Sequence, residues 1–312
     1  PHDKVDFVFL AEGYTAADKD KFKADVDRFT AHLFSVEPYK TLQGRFNVRG
    51  VFRPSPEPAM DEPRQGVFKH TVLDASFNAF DLDRYMLIEA GHRMHEIAAQ
   101  VPYDAIIVLV NSKRYGGGSI AMDYCCTTVD NARSLEVFVH ELGHSFAGLA
   151  DEYYASEVSY NDFYPKGVEP REPNITALLD PDNVKWKDLL SPGIGVPTEY
   201  GKDAIEALQA ERQKNRKAQA EETAAAKAAG GADKAVAALQ EKYRAADKAI
   251  EAEIAAIRKR HAPLNDKVGV FEGAGYAAKG LYRPQVYCIM ISSPTGEFCA
   301  VCRRAIARMI EF

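Results

Sequence analysis

The sequence predicts an α/β fold on three observations. Strand-length apolar runs stand at residues 5–10 and 103–110, helix-length amphipathic segments lie between and beyond them, and loops rich in Pro and Gly separate the two kinds. Residues 5–10 form a compact apolar run of the kind a buried strand needs. Residues 18–35 carry Phe22, Val26, Phe29 and Leu33 at helical spacing. A strand is expected at 45–52, then a loop with proline at 54, 56, 58 and 63. Residues 81–100 read as an amphipathic helix, and 103–110 as a strand buried on both faces. After Asn111-Ser-Lys-Arg-Tyr-Gly-Gly-Gly118, residues 119–129 are β-prone. Their glycine-flanked position suits an edge strand able to pair with an extended peptide, although an ordinary hairpin edge fits the pattern equally.

With 312 residues, 46% of them hydrophobic, the chain can bury one large core or two modest ones. The formal net charge is -6, and no Lys/Arg cluster interleaves with aromatics, so nucleic acid is not an expected partner. The longest strongly apolar run, 105–110, is far short of the roughly 20 residues that span a bilayer, so no membrane span is expected. The chain begins PHDKVDFVFL without an initiator Met or a basic, apolar leader, so an export signal or a preceding domain is expected to lie outside it.

Residues 157–197 are loop-rich, and the composition then changes abruptly. Residues 203–260 contain no Pro, 20 Ala and 22 charged residues, with one Gly pair, Gly230-Gly231, near the middle. Ala and charged residues favour helix and the Gly pair interrupts it, which predicts an antiparallel helical hairpin. The second arm has Val236, Leu239, Tyr243, Ala246, Ile250, Ile254 and Ile257 close to a heptad seam, whereas the first offers only Ile205 and Leu208 before turning polar.

Chemistry is concentrated at residues 140–154, HELGHSFAGLADEYY. On a helix, His140 and His144 project from one face and can converge on one ion, with Glu141 beside them to take a proton from a zinc-bound water. Leu135, Leu142 and Phe146 supply the expected buried stripe. Gly148 can end the helix in a left-handed conformation and turn the chain back, so that an acidic residue reaches the metal. Asp151 is the expected third ligand and Glu152 its rival; Asp151 could instead orient an imidazole. By contrast, His95 is followed by Ala99 four residues later, so His92 and His95 are read as solvated or satisfied side chains.

Five cysteines are present, and three of them, Cys288, Cys299 and Cys302, fall in the last 25 residues. This suggests a local bridge or a small buried cluster; Cys299-x-x-Cys302 lacks the second C-x-x-C of a zinc ribbon. The pair Cys125-Cys126 is a candidate to bridge to the late cysteines. Asn174-Ile-Thr176 matches a glycosylation sequon but is read as a turn. Tyr287-Cys-Ile-Met290 precedes a turn at 292–297 and an amphipathic terminal helix through Ala305 and Met309, an order found in metzincins.

Taken together, the sequence resembles the bacterial secreted zinc metallopeptidases named for an immunoglobulin A peptidase. The segments that carry the resemblance are DFVFLAEGYT at 6–15, Val110-Asn111 with Tyr115-Gly-Gly117, HELGHSFAGLADEYY, Pro173-Asn-Ile-Thr176, residues 269–273, Tyr282-Arg-Pro284, Cys288-Ile-Met290 and Phe298-Cys-Ala-Val-Cys302. The resemblance implies an exported, metzincin-like α/β zinc endopeptidase: a twisted mixed sheet with the active-site helix, then an irregular C-terminal subdomain with a Met-turn and a final helix. The corresponding division is a catalytic domain over 1–312, with subdomains 1–148 and 149–312 and the helical hairpin 203–260 as an insertion. One catalytic Zn2+ on His140, His144 and Asp151, Glu141 as general base, and a protein or peptide substrate complete the expectation. The alternative is a catalytically idle protein of this fold that binds proteins, with the hairpin as its partner arm.

Overall fold

In a computed structural model, the described residues are 3–154, 163–228, 233–291 and 293–312. The Gly230-Gly231 break, part of the 157–197 loop and Ser292 lie outside them. The chain divides into two units, residues 1–190 with 272–312, and residues 191–271.

The first unit is built on a five-stranded mixed sheet. Its strands are β1 (Val5–Glu12), β2 (Phe46–Val51), β5 (Ala105–Val110), β6 (Gly117–Ile120) and β7 (Tyr124–Thr128), in the order β2-β1-β5-β7-β6. Only β6 runs antiparallel to its neighbour. Alternation along β1 explains why its run is apolar throughout. Phe7 and Phe9 meet Phe146 and Phe138 of α3 (Ser134–Ala147), and Phe138 also meets Phe29 of α1 (Lys19–Leu33). Val8 and Leu10 enter the opposite core with Ile106, Val108, Val110 and Cys126, covered by Met94 and Ile97 of α2 (Gly91–Ala98).

Residues 81–100 do not form the single helix their pattern suggests. Phe80 and Asp81 have φ of +54° and +60°, and Met86–Ile88 forms β4, antiparallel to β3 (Ala75–Phe77). Met86 and Ile88 bury at strand spacing, which a helix would place on opposite faces, and Met94 and Ile97 at helical spacing. Residues 119–129 likewise divide into β6 and β7, around Met122 at φ +60°. His95 is satisfied as expected, by Asp123 at 3.1 Å and Tyr103 at 3.3 Å. The ribbon of β8 (Phe271–Ala274) and β9 (Ala277–Arg283), and the last helix α6 (Ala300–Glu311), complete the regular elements that follow.

The second unit carries two long helices, α4 (Lys202–Ala228) and α5 (Asp233–His261). They run antiparallel: Arg212 pairs with Asp247 at 2.5 Å and Glu251 at 2.7 Å, while Glu222 accepts from Tyr243 at 2.7 Å. Tyr243, Ile250 and Ile254 of α5 are buried. No helix among the described residues is long and apolar enough to cross a membrane.

Candidate metal centre

Helix α3 brings the HELGH segment under the sheet edge. Val137, Phe138, Val139, Leu142 and Phe146 bury its core side; Leu135, expected in that stripe, is only half-buried and Phe138 takes the central position. Gly148 ends the helix at φ +57°. Its N–H donates to His144 O, the 5→1 bond of an αL cap, and the Leu149 N–H donates to Gly143 O, both at 3.1 Å, so two of the last carbonyls are satisfied.

The chain then doubles back in a way that fixes the imidazoles. Leu149 O accepts from His144 Nδ1 at 2.6 Å, and Ile289 O from His140 Nδ1 at 3.0 Å. With both Nδ1 atoms held by carbonyls, both Nε2 atoms turn inward and lie 3.1 Å apart. Asp151 Oδ1 stands 3.1 Å from His140 Nε2 and 3.3 Å from His144 Nε2. A zinc ion with bonds of about 2.0–2.1 Å in tetrahedral geometry spaces its ligands roughly 3.3–3.4 Å apart, so the triangle matches zinc closely. Burial alone would drive the His144 pKa down, but the Asp151 carboxylate reverses this and raises it to about 9. Burial would likewise raise Asp151, yet the charges on His144 and His140 hold it well below the usual carboxylate range. A buried carboxylate facing two convergent imidazoles calls for a cation, as protons or as a metal ion.

Four further residues surround this triangle, of which Tyr276 and Ser119 were not singled out from the sequence. Tyr276, at φ +65° in the β8–β9 turn, donates to Asp151 Oδ2. Ser119 of β6 donates to Glu141 Oε2 at 2.7 Å. Tyr153 stacks at 13° on His140, their ring centroids 6.4 Å apart. Asn174 is fully buried and clamps the returning chain: its Oδ1 accepts from Ala150 N at 2.8 Å, and its Nδ2 donates to Ala150 O at 2.9 Å and Glu152 Oε1 at 3.0 Å. A sequence read locally carries no signal for these contacts, because they join segments up to 125 residues apart. Met290 is buried under the helix, where a Cβ on Gly143 would come within 2.9 Å of its sulfur.

His140, Glu141, His144, Asp151, Tyr153 and Tyr276 line one cleft of about 870 Å³, with Ser119 and Ile120 of β6 along its wall. A family model described as IgA Peptidase M64 matches residues 1–310. The chain belongs to that family. No curated protein matched the sequence. Membership of the M64 family makes this a peptidase-family chain, implies a metal and implies protein substrates. Glu152, the rival to Asp151, faces away from the histidines of this M64 chain and toward Cys299 and Cys302. All five cysteines are free, and Cys125 and Cys126 lie on β7, so the sequence-based idea of a bridge from that pair to the late cysteines is not realised.

Proposed function

We propose that the chain is a zinc-dependent endopeptidase in which His140, His144 and Asp151 hold one catalytic zinc ion and Glu141 is the general base. The observation that carries this reading is the meeting of two Nε2 atoms and Asp151 Oδ1 at 3.1–3.3 Å, with Glu141 beside them in an open cleft. Zinc, when bound, supplies Lewis acidity to a water molecule and to the scissile carbonyl. Glu141 accepts the proton of the attacking water and delivers it to the leaving amine, while Ser119 Oγ holds the carboxylate through Oε2. Tyr276 orients Asp151 through Oδ2, leaving Oδ1 for the metal.

Strand β6 supplies the rail for an extended peptide. Its inner edge pairs with β7, and its outer edge meets a bridge from Tyr85 only at Gly117 among the described residues, so Ser119–Ile120 is the reach open to substrate. The metzincin plan, with Met290 beneath the helix and α6 last, subdomains at 1–148 and 149–312, the hairpin 203–260 as an insertion, and export from a bacterial cell all belong to the same reading.

The test is incubation with a diverse peptide library, with and without a chelator. Cleavage should be lost on chelation and restored by zinc, and Glu141→Ala should lower turnover at least about 10²–10⁴-fold while zinc stays bound. Turnover retained in Glu141→Ala would sink the hydrolase reading; chelator-insensitive binding without cleavage would favour the idle binding protein.

A further inference from the structure

A second group of metal-type side chains lies behind the first. The Sγ atoms of Cys288, Cys299 and Cys302 and a carboxylate oxygen of Glu152 all lie within 4.8 Å of one another. All four residues are buried, Glu152, Cys288 and Cys302 completely. The sequence separations of 3 and 11 between the cysteines are closed by a tight return: Ile289 N donates to Glu297 O at 3.0 Å, and Cys299 then becomes the N-cap of α6.

We propose that Cys288, Cys299, Cys302 and Glu152 hold a second, structural zinc ion, distinct from the one at the histidines. Three features support it. First, the spacing fits: Cys302 Sγ and Cys299 Sγ lie 3.2 and 3.7 Å from Glu152 Oε1, against roughly 3.5 Å expected between sulfur and oxygen in a tetrahedron with Zn–S near 2.3 Å. Second, backbone N–H groups point at sulfur, Cys299 N to Cys288 Sγ at 3.2 Å and Cys302 N to Cys299 Sγ at 3.4 Å. A neutral thiol is a weak acceptor, whereas a metal-held thiolate makes full use of such donors. Third, Glu152 Oε1 is oriented by Asn174, while Oε2, fully enclosed, accepts no hydrogen bond from the described residues.

The donor set selects the ion. Three soft sulfurs favour zinc over calcium or magnesium, and the carboxylate argues against a copper(I) site. Four protein donors in a closed pocket leave no position for substrate, so the role is structural. Arg283 lies within electrostatic reach of Glu152, and its guanidinium also donates to the carbonyls of Glu272 and Gly273. Zinc binding replaces three thiol protons and joins the Cys288 turn, the start of α6 and the segment after α3 at one point.

The cysteine site is independent of the histidine site, and one experiment keeps the two apart. The full chain, purified under reducing conditions without chelator, is loaded with Co2+, and thiolate-to-cobalt charge-transfer absorption is recorded. Expected are strong near-ultraviolet bands in the unaltered protein, retained in His140→Ala/His144→Ala and lost in Cys288→Ser/Cys302→Ser, with zinc content following the same pattern. Absence of those bands from the unaltered protein overturns the proposal without need of any variant. So does a histidine double variant devoid of metal, or a disulfide mapped between any two of the three cysteines after purification without reductant.

Discussion

Asp151 and Glu152 are neighbours in sequence and diverge in space. Asp151 Oδ1 completes the histidine triangle, while Glu152 Oε1 faces Cys302. Asp151→Asn should therefore strip the histidine-held ion, and Glu152→Gln should leave that ion in place. Zinc retention with the cysteines substituted to Ser, measured on each background, checks the assignment, and equal loss from both variants would refute it. The competition between these two carboxylates was visible in HELGHSFAGLADEYY, and so was the turn at Gly148. What the sequence could not disclose is the partner that decides it. Tyr276 comes from a turn 125 residues after Asp151 and Asn174 from a loop 22 residues after Glu152, and neither stands at a spacing that local periodicity detects.

At the level of elements, the approach of β6 to α3 sets where Glu141 stands. A Cβ on Gly117 would meet Val137 Cγ1 at 2.4 Å and Glu141 Cγ at 3.2 Å, so only glycine permits the strand this close. Gly117→Ala is expected to push the helix and the Glu141 stem aside, lowering peptide turnover about 10-fold or more with zinc content unchanged; unaltered turnover would show that the wall is free to yield. The strands β1 and β5 and the helix α3 were legible because length and burial agreed with their pattern. The 81–100 segment was misread because Met86, Met94 and Ile97 share one helical stripe while Ile88 falls on the opposite side, and the left-handed backbone at Phe80 and Asp81 and the pairing with β3 separate strand from helix. The cysteine cluster was legible as a cluster but not as a donor set, since its fourth member is contributed by Glu152, 136 positions before Cys288.

For the whole molecule, the paired helices α4 and α5 are a unit apart in composition and in packing. Their roots are adjacent, for a Cβ on Gly201 would lie 3.0 Å from His261 Cδ2, so a short Gly/Ser loop can replace residues 203–260. The excised protein should keep its zinc and its cleavage of short peptides; loss of either would assign the arm to the catalytic unit, whereas loss of protein cleavage alone would make it a substrate arm. The fully buried amide of Asn174 has a practical consequence for production. Asn174-Ile-Thr176 is a sequon, and a host that glycosylates nascent chains can attach a sugar there before the fold hides it. That sugar would occupy the place of the Ala150 backbone, and the chain could no longer close around its metal. Material secreted from such a host should carry glycan at Asn174 only in its metal-free, misfolded fraction, and Thr176→Ala should raise the folded yield. Peptide mapping of the two fractions checks this: a glycan in the folded one would show that the pocket opens. A host without that modification is the one this fold requires.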